Sequence, residues 1–178
     1  MKRLILAAFA FSFLATVSRA QDTPLADVAV GYSLLEITQG YTLTLMGGSA
    51  SAAVNLNHWL GLVGDFGGYD VISGSLAGLT GETYMFGPRL SYRKIDRLVP
   101  FARALLGGGH ASSAQSGFTG ATNSFAFGAG AGADFGLDKR GRFAVRPQLE
   151  YLGFRGNGNT TGVIRLSAGI VFRIGKKG

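Results

Sequence analysis

Residues 164–174 alternate by twos: Ile164, Leu166, Ala168, Ile170, Phe172 and Ile174 fall on one face, Arg165, Ser167, Gly169 and Arg173 on the other. That is the period of a β-strand with one apolar and one polar face. The same alternation recurs along the chain. In residues 26–34, Ala26, Val28, Val30, Tyr32 and Leu34 oppose Asp27, Ala29, Gly31 and Ser33, and in 50–56, Ala50, Ala52, Val54 and Leu56 oppose Ser51, Ala53 and Asn55. Further on, Leu60, Leu62, Gly64 and Phe66 face away from Gly61, Val63, Asp65 and Gly67. Tyr84, Phe86, Pro88, Leu90 and Tyr92 oppose Thr83, Met85, Gly87, Arg89 and Ser91. Pro88 removes a ladder donor from its strand. Pro100, Ala102, Ala104 and Leu106 stand against Phe101, Arg103, Leu105 and Gly107, the segment whose facing is least defined. Phe125, Phe127, Ala129, Ala131, Ala133 and Phe135 oppose small residues and Asp134, and Phe143, Val145, Pro147, Leu149 and Tyr151 oppose Ala144, Arg146, Gln148 and Glu150. Eight strands are predicted, and no helical stretch interrupts them.

The connections read as long, short, long, short, with long loops near 35–49, 68–81, 108–123 and 155–161. Tyr32, Trp59, Phe66, Tyr84, Tyr92, Phe135, Tyr151 and Phe172 lie near the predicted strand ends. Short turns at one end, long loops at the other and aromatics at both are the pattern of an eight-stranded antiparallel up-and-down transmembrane β-barrel, which is therefore the expected fold. An amphipathic strand of a soluble sandwich would alternate as well, but has no need of aromatics at both rims.

The N-terminus points to the same compartment. Lys2 and Arg3 precede an apolar stretch over 4–17, and Ser18-Arg19-Ala20 offers a small-x-small cleavage site. Residues 1–20 read as a secretory signal peptide, too short before Arg19 for a membrane-spanning helix. That leaves residues 21–178 as a single barrel domain. With no cysteine the domain cannot draw on disulfides. Losing Lys2, Arg3 and Arg19 leaves 14 basic residues against 10 acidic ones, weak grounds for nucleic acid as a partner.

Glycine contributes 29 of 178 residues without a collagen period. In a narrow barrel, inward glycine leaves room for a few long side chains to cross the lumen. The face opposite the apolar one supplies those side chains: Asp27, Asp65, Asp134 and Glu150 with Arg89, Arg103, Arg146 and Arg165. Four acids and four bases in a partly dry interior are expected to pair and fill it. Arg146 with Glu150, and Arg89 with Asp65, are the expected couples. Other chemistry is thinly represented. Gly128, Gly130 and Gly132 lack phosphate-loop spacing, His58 and His110 lack a second ligand at metal spacing, and no serine is singled out as a nucleophile. No cofactor or metal is expected.

Over residues 22–175 the chain resembles the small outer-membrane β-barrel family that includes the OmpA transmembrane domain and OmpX. The resemblance is carried by the opening strand at 27–34, by 125–135, by Phe143-Ala144-Val145-Arg146-Pro147-Gln148-Leu149-Glu150-Tyr151 and by Ser167-Ala168-Gly169-Ile170-Val171-Phe172-Arg173-Ile174. It implies a Gram-negative-type outer membrane, lipid around the barrel, structural or surface-interaction roles and external partners met through the loops. Ser167, Gly169, Phe172 and Ile174 resemble the terminal signal read by the barrel-assembly machinery, although the chain continues through Gly175-Lys176-Lys177-Gly178. The expected function is a non-enzymatic barrel with a largely filled lumen. A narrow small-solute channel, a lipid-modifying enzyme and a soluble ligand-binding barrel follow in that order.

Overall fold

The computed structural model describes residues 23–38, 42–73, 79–95, 97–115, 118–138, 141–156 and 158–175. The expected signal peptide at 1–20 lies outside them. Eight strands form a closed antiparallel barrel in sequence order: β1 (Ala26–Thr38), β2 (Thr42–Asn55), β3 (Leu60–Ser73), β4 (Leu79–Ser91), β5 (Leu98–Gln115), β6 (Phe118–Gly136), β7 (Phe143–Gly156) and β8 (Asn159–Ile174). β8 pairs with β1 over the whole of residues 26–37, so no edge remains along the seam. The expected fold class is the observed one.

Facing follows the alternation on all eight strands, including β5, where Phe101, Arg103 and Leu105 are buried and Ala102, Ala104 and Leu106 are exposed. On β8 the exposed positions run from Ile164 through Leu166 and Ile170 to Phe172 and Ile174. Ten residue steps of about 3.3 Å, tilted by about 40°, span roughly 25 Å, the height of the apolar band of an outer-membrane barrel. Aromatics flank this belt. Tyr32, Phe66, Tyr84 and Tyr151 are exposed towards one rim, and Trp59, Tyr92, Phe135 and Phe172 towards the other. The first rim is called here the hairpin end. The second, where β1 begins and β8 finishes, is the terminal end.

The expected long loops are largely strand, which is a correction. β1 and β2 occupy all of 35–49 except 39–41, β3 runs to Ser73, β5 and β6 cover 108–123 except 116–117, and only 157–158 separate β7 from β8. At the terminal end the connections are 56–59, 92–97 and 137–142. The long-short alternation therefore disappears. The physical reason is that a ladder needs only backbone partners, whereas the outward apolar residues that reveal a strand stop where lipid stops. Above the belt the pattern inverts: Leu35 and Ile37 turn inward while Glu36 is exposed, and Tyr69 and Val71 turn inward while Asp70 is exposed. Gly158 closes the two-residue β7–β8 connection with φ of 82°, a left-handed setting glycine enters without steric penalty.

Two interior prolines sit at gaps in the pairing. The β4–β5 ladder skips from Phe86↔Leu106 to Arg89↔Arg103 around Pro88, and β6–β7 skips from Gly132↔Gln148 to Phe135↔Val145 around Pro147. A missing donor is thus absorbed locally. Lateral partners followed once round the barrel lead from Asp27 through Ala53, Val63, Gly87, Leu105, Gly128, Leu152 and Val163 back to β1 at Ile37, ten residues above the start. This shear forces the strand tilt, so side chains that meet across the lumen are not those that pair across a ladder.

Candidate functional site

Among the described residues, the lumen is the one place where charge is concentrated away from solvent. All eight predicted residues, Asp27, Asp65, Arg89, Arg103, Asp134, Arg146, Glu150 and Arg165, point inward and are buried. They form two separate clusters at different heights.

The cluster nearer the hairpin end is a ring of four. Arg103 on β5 donates Nε to Glu150 Oε1 at 2.5 Å and Nη2 to Asp65 Oδ2 at 2.9 Å. Arg165 on β8 donates Nε to Glu150 Oε2 at 2.7 Å, and its Nη1 lies 2.9 Å from Asp65 Oδ1. Each carboxylate thus bridges both guanidinium groups, and each guanidinium both carboxylates. Tyr69 completes the ring, its hydroxyl accepting from Arg165 Nη1 at 2.8 Å. Space comes from Gly130, where a Cβ would stand 2.3 Å from Glu150 Cγ. Fork-shaped arginine suits this chemistry because two parallel N–H groups match a carboxylate.

The cluster nearer the terminal end is a chain. Arg89 grips both carboxylate oxygens of Asp27, Arg146 Nη2 reaches Asp27 Oδ1 at 3.1 Å, and Arg146 Nε donates to Asp134 Oδ1 at 2.6 Å. Arg173 Nη2 adds a longer contact of 3.3 Å to Asp134. Asn55 accepts from Arg89 at 3.2 Å and from Arg93 at 2.9 Å. Phe101 lies beneath two cations, its ring centroid 4.9 Å from Arg146 Cζ and 5.9 Å from Arg89 Cζ, an arrangement its π-face favours. Gly132 makes way for that ring, since a Cβ there would lie 2.7 Å from it. Among the described residues, four guanidinium groups, Arg89, Arg93, Arg146 and Arg173, here face two carboxylates, Asp27 and Asp134. Just beyond β4, burial and then the neighbouring Arg89 charge pull the Arg93 guanidinium down to about 10.

The expected couples are not those observed. Arg146 pairs with Asp134 and Asp27 and not with Glu150, and Arg89 pairs with Asp27 and not with Asp65. Arg146 and Glu150 are four residues apart on one strand, about 13 Å along an extended backbone, beyond the reach of an ion pair. Glu150 takes Arg165, its direct cross-strand neighbour on β8. Sequence reasoning also left out Tyr69, Arg173 and Phe101. The first fell in a supposed loop, although the inverted pattern of Tyr69, Asp70 and Val71 marks it as strand.

Beyond the ring, towards the hairpin end, the interior of the described residues is largely apolar, with Thr83 as a buried polar residue beside Tyr69. Leu35, Leu45, Tyr69, Met85, Leu105, Leu152 and Val163 are buried together, with Ile37, Val71 and Phe154 against them. Between the two ionic clusters lies a polar stretch in which Ser33 Oγ stands 2.8 Å from Ser49 Oγ and 2.7 Å from Ser167 Oγ. A cavity of ≈ 20 Å³ opens there. Of the four residues of the supposed assembly signal, Ser167 and Gly169 turn inward while Phe172 and Ile174 are exposed on the lipid face. His58 is exposed in the β2–β3 turn, and His110 Nδ1 lies 2.8 Å from Asn123 Oδ1 across the β5–β6 ladder.

No protein-family model matches this chain, and no curated protein sequence matches it. Solved structures do. Neisserial surface protein A is similar with a TM-score of 0.72 at 14% identity, covering 84% of this chain and 97% of that one. Ail, the attachment invasion locus protein of Yersinia pestis, gives 0.58 at 18% identity over 83% of this chain and 97% of its own, and has also been solved with the heparin analogue sucrose octasulfate. The N-terminal β-barrel domain of Pseudomonas aeruginosa OprF gives 0.58 at 17% identity, over 85% and 100%. At these identities the likeness is one of fold. This chain has the fold of the small bacterial outer-membrane barrels.

Proposed function

We propose that the protein is an integral outer-membrane barrel that carries no solute stream and works as a structural and surface-contact element, its hairpin end directed out of the cell. The observation that supports this most is the filling of the lumen. A chain of charges, a closed ring of charges and an apolar layer succeed one another from the terminal end to the hairpin end, and the cavity between the two ionic clusters is ≈ 20 Å³. Ions passing along this path would have to break arginine–carboxylate pairs and then cross a dry apolar layer. The exposed belt with its two aromatic girdles supports lipid as the lateral partner. Phe172 and Ile174 on the lipid face of β8, with Ser167 and Gly169 behind them, are in position to be read by the barrel-assembly machinery. External partners meet the ends of β1–β8 that project beyond the belt.

Outer-membrane fractionation with heat-modifiable gel migration tests the placement, and planar-bilayer recording of the purified monomer tests the closed lumen. Stable, porin-like current from the monomer would overturn the closed reading in favour of a small-solute channel.

A further inference from the structure

We propose that the chamber between the two ionic clusters is a binding site for a small monovalent anion of halide size. Its volume of ≈ 20 Å³ exceeds the roughly 10–15 Å³ that holds one water molecule, so a monatomic ion fits. The lining holds one cation, Arg146, and several groups able to donate. Arg146, 3% exposed, borders the chamber and has its Nη1 without a hydrogen-bond partner. Gln148 borders it too, with Oε1 unpartnered, and a half-turn of its amide offers an N–H instead. Ser49 and Ser167, also in the lining, are joined through Ser33. Three hydroxyls share two bonds, so whichever way the chain is polarised one terminal O–H is left over.

Charge decides between an anion and a plain water. The ring at the hairpin side is balanced, two guanidinium groups to two carboxylates, and both oxygens of Asp65, which also borders the chamber, face Arg103 and Arg165. Among the described residues the cluster below is unbalanced: Arg89, Arg93, Arg146 and Arg173 outnumber Asp27 and Asp134. Surplus positive charge in a low-dielectric lumen lowers the energy of an anion there, and a neutral water offsets none of it.

The test compares thermal unfolding of the purified protein in detergent, read by the fluorescence of Trp59, in sodium chloride, bromide and gluconate at equal ionic strength. At a tenfold excess over its dissociation constant, a halide is expected to raise the midpoint by about 3–6 °C over gluconate. The Ser49→Ala/Gln148→Leu double variant, which removes two of these lining groups, should lose that difference. Crystals grown in bromide should show an anomalous peak within hydrogen-bond distance of Arg146 Nη1, a readout that does not depend on any variant folding. Equal midpoints in halide and gluconate, a halide effect unchanged in the double variant, or a water in the chamber with no bromide peak would each overturn the proposal.

Discussion

Removing Glu150 and Arg165 together should destabilise the barrel by clearly less than the sum of removing each alone. In the folded protein Glu150 receives Arg103 at 2.5 Å on one oxygen and Arg165 at 2.5–2.7 Å on the other, all buried. Glu150→Ala leaves two guanidinium groups to share Asp65. Losing the partner of a buried charge typically costs about 3–5 kcal/mol, most of it the desolvation of the charge left behind. Arg165→Ala strands the carboxylates in the same way. The double variant leaves Arg103 with Asp65, one charge of each sign at 2.9 Å, so its cost should fall short of the sum of the singles by about 2–3 kcal/mol. Urea unfolding in lipid vesicles, followed by Trp59 fluorescence, measures all three. A matched cycle on Arg146 and Glu150, which belong to different clusters, should be additive within about 0.5 kcal/mol. Additivity at Glu150 and Arg165 as well would refute the ring and leave these side chains as independently solvated charges.

Leu166→Arg, at an exposed position inside the belt, should cost about 2–4 kcal/mol in the same vesicle assay, whereas Thr122→Arg, exposed towards the hairpin end, should be close to neutral. Equal penalties would overturn the placement of the belt. Gly130→Ala places a Cβ 2.3 Å from Glu150 Cγ and should lower stability by about 1–3 kcal/mol, with Gly48→Ala, which meets nothing within 4 Å, as the control in a gel-shift folding assay. If the two alanines behave alike, the glycine at 130 is not there to make room for the ring.

How much of this was legible from the residues depends on which interaction was being read. Facing was legible because lipid imposes it one residue at a time: Val28, Val30 and Tyr32 had to share a face whatever their neighbours did. Strand length was not, because from Leu35 and Tyr69 onward the outside is water and the inside is apolar, so the alternation persists with its sign reversed and looks like the end of a strand. That Asp27, Arg89 and their companions point inward followed from the same period of two. Their partners did not, since Asp27 on β1 meets Arg89 on β4 and Arg146 on β7 only after the barrel has closed with a shear of ten residues. Arg89 and Arg103 are ladder neighbours, yet they serve different clusters.

The up-and-down topology also sorts the chain's amines. Every cation in the two clusters is an arginine, and apart from Lys2 the lysines are Lys94, Lys139, Lys176 and Lys177, which in chain order fall in the β4–β5 and β6–β7 connections and the segment after β8. None of them falls between two strands that are joined at the hairpin end. Covalent chemistry directed at primary amines therefore sees a one-sided molecule. With the hairpin end outward, a membrane-impermeant amine reagent would pass over the protein on intact cells and modify it once the envelope is opened.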